Sequence, residues 1–557
     1  MTRYPNCSIP GLLDRDARRP LGTPPPQEPQ EVGDARSGRV RVTTATRLAN
    51  EDPLYITPEV LDRIEGLIGS APAELGGVLG FRYDTGVISH FEFDGTADRT
   101  GVTYSPDVEF VNGTLKKWNA EGIRAAGFVH SHPRGARQPS HGDAIYSATL
   151  LRNLGELERL VLPIVQSGCG AGRFSIHGFF ATRNGTDVAT IDPAPIVTMD
   201  VAEPTLEHFD RVSDAVDVSW LSRCRLVVVG CGGSTSFCAD LVRAGVGQVV
   251  LIDPDSIEAT NVGTQDVRIA DIGRPKVSAL ADRLIEVSDH VRVLGIHAGI
   301  EEIPPAQLTR LCSGSLPGLP AGPPVQTLIC GFTDNFEAQA FVNRLALHVG
   351  VPMIAAGIYK NGAALELTFS APGVTPACGR CVLGKRYRMY QNGFVNETGS
   401  AGSPFSATAH LNAMKQDLAL ALLQGTITTI DEDHPSLRDH PARDRARRLL
   451  HHVGNRNLLL VRRDPWVADS LGMSVFDRVL GGGDTQRLVY GDVVWLPEEA
   501  ESPDTGHEPC PDCGGVGDLR AAIGTFGDLT RLEWELDENR ALAMIENIPK
   551  MADSSTS

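Results

Sequence analysis

The chain has 557 residues, too many for one ordinary domain, so two or three are expected. A hydrophobic content of 41% and a mean hydropathy of -0.10 describe a soluble globular protein. The formal net charge of -18 argues against nucleic acid or an anionic membrane surface as the main partner.

Met1 to about Asn50 is rich in Pro, Arg, Gly and Glu, lacks apolar periodicity, and reads as a disordered arm. No apolar run approaches the roughly 20 residues that span a bilayer, and "MTRYPNCSIPGLLDRDARRP" has no signal-peptide core. A cytoplasmic protein is expected. From Pro53 the pattern changes, and "TPEVLDRIEGLIGS" has helical spacing with Thr57 as its N-cap. Strand-like "GGVLGFRYD", "VISHFEFD" and "AAGFVHSHP" follow, then a helix from Ser140 and strands at "LVLPIVQSG" and "RFSIHGFFAT". This predicts an α+β domain over 51–183. The Asp/Pro/Thr-rich residues 184–205 read as a linker. Short apolar strands then alternate with helices ("RLVVVG", "QVVLID", "VRVLGIHAG", "TLICGFTD", "VPMIAAG"), which predicts an α/β, doubly wound parallel sheet in a domain over 206–525. Residues 526–557 fade into a polar tail.

Two constellations carry chemistry. In "VHSHPRGARQPSHGD", His130 and His132 stand two apart on a strand and so face one way. With Asp143 they make three ligands, which leaves the fourth position of a tetrahedral zinc for water. Glu74 in "AELGGVLG" supplies a base for that water. The alternative is plain capping, because Ser140 and Asp143 also form an N-capping pattern. "RLVVVGCGGSTSF" reads as strand, glycine turn and helix, where Gly230, Gly232 and Gly233 let backbone amides approach a phosphate. Asp253 ends the next strand, where a carboxylate grips ribose hydroxyls; so far NAD and ATP are both open. Of 11 cysteines, seven are scattered, and Cys378, Cys381, Cys510 and Cys513 form two CxxC pairs that favour a tetrathiolate zinc.

The set E-x-G-G-x-L-G, H-S-H-P and P-S-x-x-D resembles the JAB/MPN zinc metalloproteases and their JAMM motif, over roughly Pro53 to Arg183. The resemblance implies a catalytic zinc on His130, His132 and Asp143, with Glu74 as base and Ser140 stabilising the oxyanion. It also implies cleavage of isopeptide or peptide bonds after the C-terminal glycine of ubiquitin-like proteins. His141, inside the motif, is read as solvent-facing.

"DPDSIEATNV", "ADIGRPK" and "CGFTDN" resemble the ThiF/MoeB-like adenylating domain shared with ubiquitin-activating enzymes, over about Leu206 to Gly515. The resemblance implies that Asp253 binds the ATP ribose and that Asp255 belongs to the same motif. Asn261 and Lys276 would serve the phosphates, and Asp334 would hold Mg²⁺. The two CxxC pairs match that family's structural zinc, and a homodimer through this domain is implied. Three departures stand out. Thr235 replaces the third loop glycine, and Thr264 replaces an arginine expected on the triphosphate, for which Arg268 is a candidate substitute. No cysteine lies between Cys381 and Cys510, the interval that carries the thioester nucleophile in ubiquitin-activating enzymes. An unfamiliar insert runs from about Asp431 to Glu499.

Three functions follow. The first is a two-activity enzyme that processes or removes a ubiquitin-like modifier and adenylates its C-terminal glycine, with a conjugating enzyme as partner. The second activates a sulfur-carrier protein for thiocarboxylate formation with a sulfurtransferase. The third is a binding scaffold whose adenylating half has decayed.

Overall fold

The computed structural model describes residues 41–43, 53–69, 74–82, 86–99, 104–121, 123–132, 136–153, 159–166, 175–199, 206–288, 290–317, 319, 321–393, 402–426, 440–454, 456–464, 492–496, 510–515 and 517–522. All of them fall in one compact unit, Gly33–Ser557. The expected C-terminal tail and most of the expected arm lie outside the described residues.

The strands are β1 (Arg41–Thr43), β2 (Leu54–Ile56), β3 (Gly76–Arg82), β4 (Ile88–Phe93), β5 (Asp98–Arg99), β6 (Tyr104–Ser105), β7 (Ile123–His132), β8 (Arg159–Val161), β9 (Ile164–Gln166), β10 (Ile176–Thr182), β11 (Thr190–Ala194) and β12 (Ile196–Thr198). The helices of this half are α1 (Pro58–Ile64), α2 (Val108–Ala120) and α3 (His141–Asn153). Nine strands form one mixed sheet, ordered β11-β10-β8-β7-β3-β4-β2-β12, with β9 against β7 and β10. Its centre, β7, is buried along almost its whole length because both faces are covered. Val129 packs with Val60, Ile64 and Ile68 of the α1 side, and Phe128 with Val111 and Trp118 of α2. Thr57 caps α1, its hydroxyl accepting from Val60 N at 3.3 Å, as the sequence implied.

The linker reading needs correction. Residues 190–198 complete the sheet, β11 pairing antiparallel with β10 and β12 parallel with β2. Pro193 made this stretch look like a connector. It sits in an edge strand, where a missing N–H is tolerated.

The second sheet contains β13 (Cys224–Val229), β14 (Gln248–Ile252), β15 (Arg292–Ile296), β16 (Gln326–Gly331), β17 (Met353–Ile358), β18 (Ala364–Ser370), β19 (Leu458–Arg462) and β20 (Asp492–Leu496). Its order is β1-β15-β14-β13-β16-β17-β18-β19-β20. The strands from β1 to β17 are parallel and the last three are antiparallel. Around it lie α4 (Val218–Leu221), α5 (Thr235–Arg243), α6 (Lys276–Val287), α7 (Pro305–Ser313), α8 (Phe336–Val349), α9 (Gly379–Val382), α10 (Gly384–Gln391), α11 (Phe405–Gly425) and α12 (Pro441–Val453). The unbroken apolar run of β13 follows from burial on both faces. Leu226 and Val228 join one core, Val227 and Val229 the other.

Two expectations change here. Residues 41–43, assigned to a disordered arm, are the edge strand beside β15. The unfamiliar insert is partly scaffold: β19 and β20 extend the sheet, and Leu450 and Val453 of α12 with Leu459 and Val461 of β19 enter its larger core. The parallel order reverses between β13 and β16, so connections leave to opposite sides and open a crevice at their carboxyl ends. Among the described residues no helix is long and apolar enough to cross a membrane.

Candidate functional site

The first constellation gathers where β7 ends. His130 and His132 face the same way and are both buried, with Nε2 atoms 2.9 Å apart. Asp143, in the first turn of α3, reaches both: Oδ1 is 3.2 Å from His130 Nε2 and Oδ2 is 3.4 Å from His132 Nε2. Glu74 offers a carboxylate oxygen in a group with the two histidines, all within 4.8 Å of one another. Its place is set by Leu75, whose N–H donates to Ser131 Oγ at 2.9 Å while Ser131 N–H donates to the Leu75 carbonyl at 2.8 Å.

Burial pushes the Glu74 carboxyl up, against the pull of His132 and His130. Burial also opposes the charge on Asp143, but hydrogen bonds from both histidines outweigh it and hold that carboxyl well below the usual range. Zinc on nitrogen and carboxylate ligands at about 2.0–2.1 Å puts tetrahedral donors about 3.3 Å apart. The histidine nitrogens are 2.9 Å apart, and each has a different Asp143 oxygen at 3.2 or 3.4 Å, separations close to that spacing.

Ser140 realises the capping alternative too. Its Oγ accepts from Asp143 N–H at 3.2 Å, and its own N–H donates to Asp143 Oδ2 at 2.6 Å. The hydroxyl proton is not used in that pair, so a donor remains on an exposed side chain. His141 is exposed, as expected.

Two residues here were not found by sequence reasoning. The Tyr104 ring stacks on His130, centroids 5.8 Å apart and planes 13° from parallel. Its hydroxyl donates to buried Asp94 at 3.4 Å, and Asp94 also accepts from Asp107 N–H and Thr96 N–H. Gly76 pairs with His130 across the ladder, and a Cβ there would lie 2.5 Å from Tyr104 Cζ. The sequence signal was the glycine itself, opposite a ligand.

The second constellation lines the crevice. Gly230 follows β13 with φ 91°, and a Cβ on it would lie 2.7 Å from the Phe332 carbonyl and the Thr333 nitrogen. Gly232 faces the Gln265 amide and Gly233 faces Thr408. Asp253, buried at the end of β14, accepts from Cys231 N–H at 2.6 Å and from Asp255 N–H at 2.8 Å. It therefore clamps the glycine turn, with acceptor capacity left on both oxygens. Burial raises the Asp253 carboxyl, against Lys276 and the two amides. Lys276 Nζ is 2.7 Å from Asp255 Oδ2. Burial opposes the Lys276 charge, and Asp253 and Asp255 outweigh it, so the amine is pushed up.

Asn261 caps its own turn, Oδ1 accepting from Glu258 N–H at 2.8 Å. Asp334 is exposed in the loop after β16, one residue before Asn335, the cap of α8. Thr235 is buried at the start of α5 and interrupts nothing there. Arg268 lines a cleft with Gly232, Gln265 and Lys276, its guanidinium 3.4 Å from Glu286. Sequence reasoning missed α11, whose Asn412 donates to the Gly233 carbonyl at 2.9 Å and whose Thr408 hydroxyl donates to the Thr264 carbonyl at 3.2 Å.

The third constellation is closed. Cys378, Cys381, Cys510 and Cys513 are all buried and their sulfurs lie within 4.8 Å of one another. Sulfurs 3.5–3.8 Å apart match the edge of about 3.8 Å that four Zn–S bonds of 2.3 Å give. Buried Asp512 accepts from Asn343 Nδ2 at 2.8 Å and from Arg380 at 3.0 Å, so a cation stands beside the thiolates. The donor set is consistent with a structural zinc.

Residues 206–459 match the ThiF family. The chain is 30% identical over 160 residues to ubiquitin-like modifier-activating enzyme 5 of Dictyostelium discoideum, which is 28% of this chain and 41% of that protein. It is 28% identical over 165 residues to molybdopterin-synthase adenylyltransferase of Salmonella typhimurium, which is 29% of this chain and 59% of that protein. Among solved structures, E. coli MccB with ATP overlays at a TM-score of 0.29 and 19% identity, over 37% of this chain and 57% of that chain. The chain thus spans less than two thirds of each of these proteins. The likeness to the ThiF family thus runs over residues 206–459, less than half of the chain.

Proposed function

We propose that the chain is a bifunctional enzyme for a ubiquitin-like or sulfur-carrier protein that ends in glycine: a zinc-dependent peptidase or isopeptidase and an ATP-dependent adenylating enzyme. The observation that carries the reading is the convergence of Glu74, His130, His132 and Asp143 at the end of β7 in a chain that also holds an adenylating domain. Both halves would then act on the same extended tail.

In the first half His130, His132 and Asp143 would hold zinc, with Glu74 left as the base. Zinc, when bound, supplies Lewis acidity at the scissile carbonyl. Glu74 takes a proton from the attacking water and returns it to the leaving amine. The Ser140 hydroxyl donates to the oxyanion. In the second half the glycine carboxylate attacks the α-phosphorus of ATP; an acyl–O–P bond forms and the bond to pyrophosphate breaks. Amides of the Gly230–Gly233 turn and the Lys276 amine hold the phosphates, and Asp253 holds the ribose. Asp334 would hold Mg²⁺, which offsets phosphate charge.

Glu74→Ala should abolish cleavage of a glycine-ended ubiquitin-like fusion while metal content stays unchanged. Asp334→Ala should abolish ATP–pyrophosphate exchange in the presence of the matured modifier. Exchange that is absent in the wild type with a verified modifier leaves the scaffold reading for this half.

The sulfur-carrier reading draws on the absence of cysteine between Cys381 and Cys510. Without a thiol there, the adenylate passes directly to an external nucleophile. Mass spectrometry of the modifier terminus distinguishes a thiocarboxylate from an isopeptide.

A further inference from the structure

Lys415 is the anomaly of the second half. It lies on α11 and is 3% exposed. Its ammonium is 3.8 Å from the centre of the Phe332 ring and 5.1 Å from that of Phe237, and the two rings meet edge to face. Three other cations of this half, fully buried Arg225 and half-buried Arg386 and Lys276, have polar partners. Arg225 binds the Gln248 side chain and backbone carbonyls, Arg386 binds Glu366, and Lys276 binds Asp255. Lys415 faces two thiols, Cys238 from α5 and Cys330 from β16, and among the described residues no carboxylate acts on it. Asp240 of α5 is engaged by Gln416 and Arg243, and Asp417 is exposed on α11. An ammonium buried without a counter-ion is costly, and aromatic faces recover only part of that cost.

Its position gives the charge a purpose. One turn earlier on the same helix, Asn412 holds the Gly233 carbonyl and Ser236 Oγ. Phe332, against which the ammonium rests, is the residue whose carbonyl closes on Gly230 and which leads into Asp334. The ammonium therefore rests on the ring of the residue whose backbone closes on the glycine turn. Two turns back along the same helix, Thr408 holds the carbonyl of Thr264, the residue that stands where the resemblance implies an arginine on the triphosphate.

We propose that Lys415 is a positioning and charge-compensating residue for nucleotide binding, supplying through the floor of the crevice part of the positive charge that Thr264 does not. The inference rests on the reading of this crevice as an ATP site. The nucleotide phosphates are the missing counter-charge, so nucleotide binding and protonation of Lys415 reinforce one another.

Burial draws the Lys415 amine down to about 8. Cys238 is pushed up to about 12, Cys330 and Cys231 are pushed well up, and Lys276 is pushed up. Between about pH 7 and pH 9.5, Lys415 is thus the group among these that loses its charge. The sign is fixed. A base depressed on folding destabilises the ligand-free protein while protonated, and that cost fades as pH rises from about 8 towards the ordinary lysine value. Nucleotide affinity moves the other way and falls over the same window.

The test uses the full chain with MgATP as probe, measuring affinity by calorimetry at about pH 7 and about pH 9.5, and thermal melting without ligand. Lys415→Met is expected to weaken MgATP about tenfold at neutral pH, because a tenfold gain in lysine proton affinity on binding is, by linkage, a tenfold gain in nucleotide affinity. It should also raise the melting temperature of the ligand-free protein at neutral pH and flatten the pH dependence seen in the wild type. Lys415→Arg, which keeps its charge throughout, should bind with little pH dependence. Equal affinity of wild type and Lys415→Met would overturn the inference while leaving the ATP site intact. A Lys415→Met protein that loses binding and ligand-free stability together makes the residue a structural brace, which also overturns it. A wild type that binds no MgATP overturns the nucleotide reading and the inference with it.

Discussion

The two clusters of candidate metal ligands are built on opposite plans. The Cys378–Cys381–Cys510–Cys513 cluster has four donors, all buried, drawn from two segments far apart in sequence. The His130–His132–Asp143 set has three donors, drawn from one strand end and the next helix, beside Glu74 and exposed Ser140. Four closed donors can only fasten chain segments together. Three donors with a base and a hydroxyl at the rim leave room for a reaction. Metal should therefore be a folding partner in one place and a chemical partner in the other.

The sharpest way to break this comparison is to remove one ligand from each. Cys513→Ser opens the closed cluster and leaves Asp512 and the other thiols without the ion that organises them. Structural zinc contributes on the order of 10 kcal/mol of apparent folding free energy. Loss of a metal equivalent together with the cooperative melt of the adenylating half is expected. His132→Ala should lose one metal equivalent while the melt stays within a few degrees. Equal destabilisation by the two substitutions would erase the distinction.

Two glycines carry the same contrast into the scaffolds. Gly230→Ala places a Cβ 2.7 Å from three backbone atoms of the next strand's turn at a φ of 91°. The left-handed backbone and the overpacking together cost about 3 kcal/mol. Gly76→Ala meets the Tyr104 ring at 2.5 Å and the Val129 carbonyl at 2.8 Å, with ordinary backbone angles. The ring can swing but the carbonyl is backbone and must shift, so overpacking without left-handed strain is expected to cost about 2 kcal/mol, accompanied by weaker metal binding as Tyr104 leaves His130. Chemical denaturation and chelator competition on both variants measure the difference.

How legible each site was in the sequence follows from how it is made. The first is nearly local apart from Glu74, so i, i+2 spacing on a strand and a capping pattern named His130, His132, Ser140 and Asp143, while Glu74 was taken from the distant "AELGGVLG". Tyr104 and Asp94 stayed hidden because a stack across a glycine is a tertiary event. The second could be named only through its turns and strand ends, yet its parallel strands were plain because burial on both faces leaves unbroken apolar runs such as "RLVVVG". Pro193 misled because composition does not reveal whether a strand lies at an edge. Lys415, in a helix reading "NAMKQD", looks like a solvated lysine, and nothing local betrays its burial.

The smallest predicted stability effect separates the two roles of Ser140. As a cap it accepts from Asp143 N–H; as a catalytic group it donates its proton to the oxyanion. Alanine and glycine both remove the hydroxyl, but glycine is a far better N-cap residue. Ser140→Ala should cost about 1 kcal/mol and Ser140→Gly only a few tenths. If the hydroxyl also works on the substrate, cleavage should fall about 10²–10³-fold in both variants alike. Metal content, measured on each, shows whether Asp143 has kept its place. A Ser140→Gly protein that keeps its zinc and cleaves at the wild-type rate would make the hydroxyl a cap alone. The open constellation would then have lost the donor that distinguishes its rim from that of the closed one.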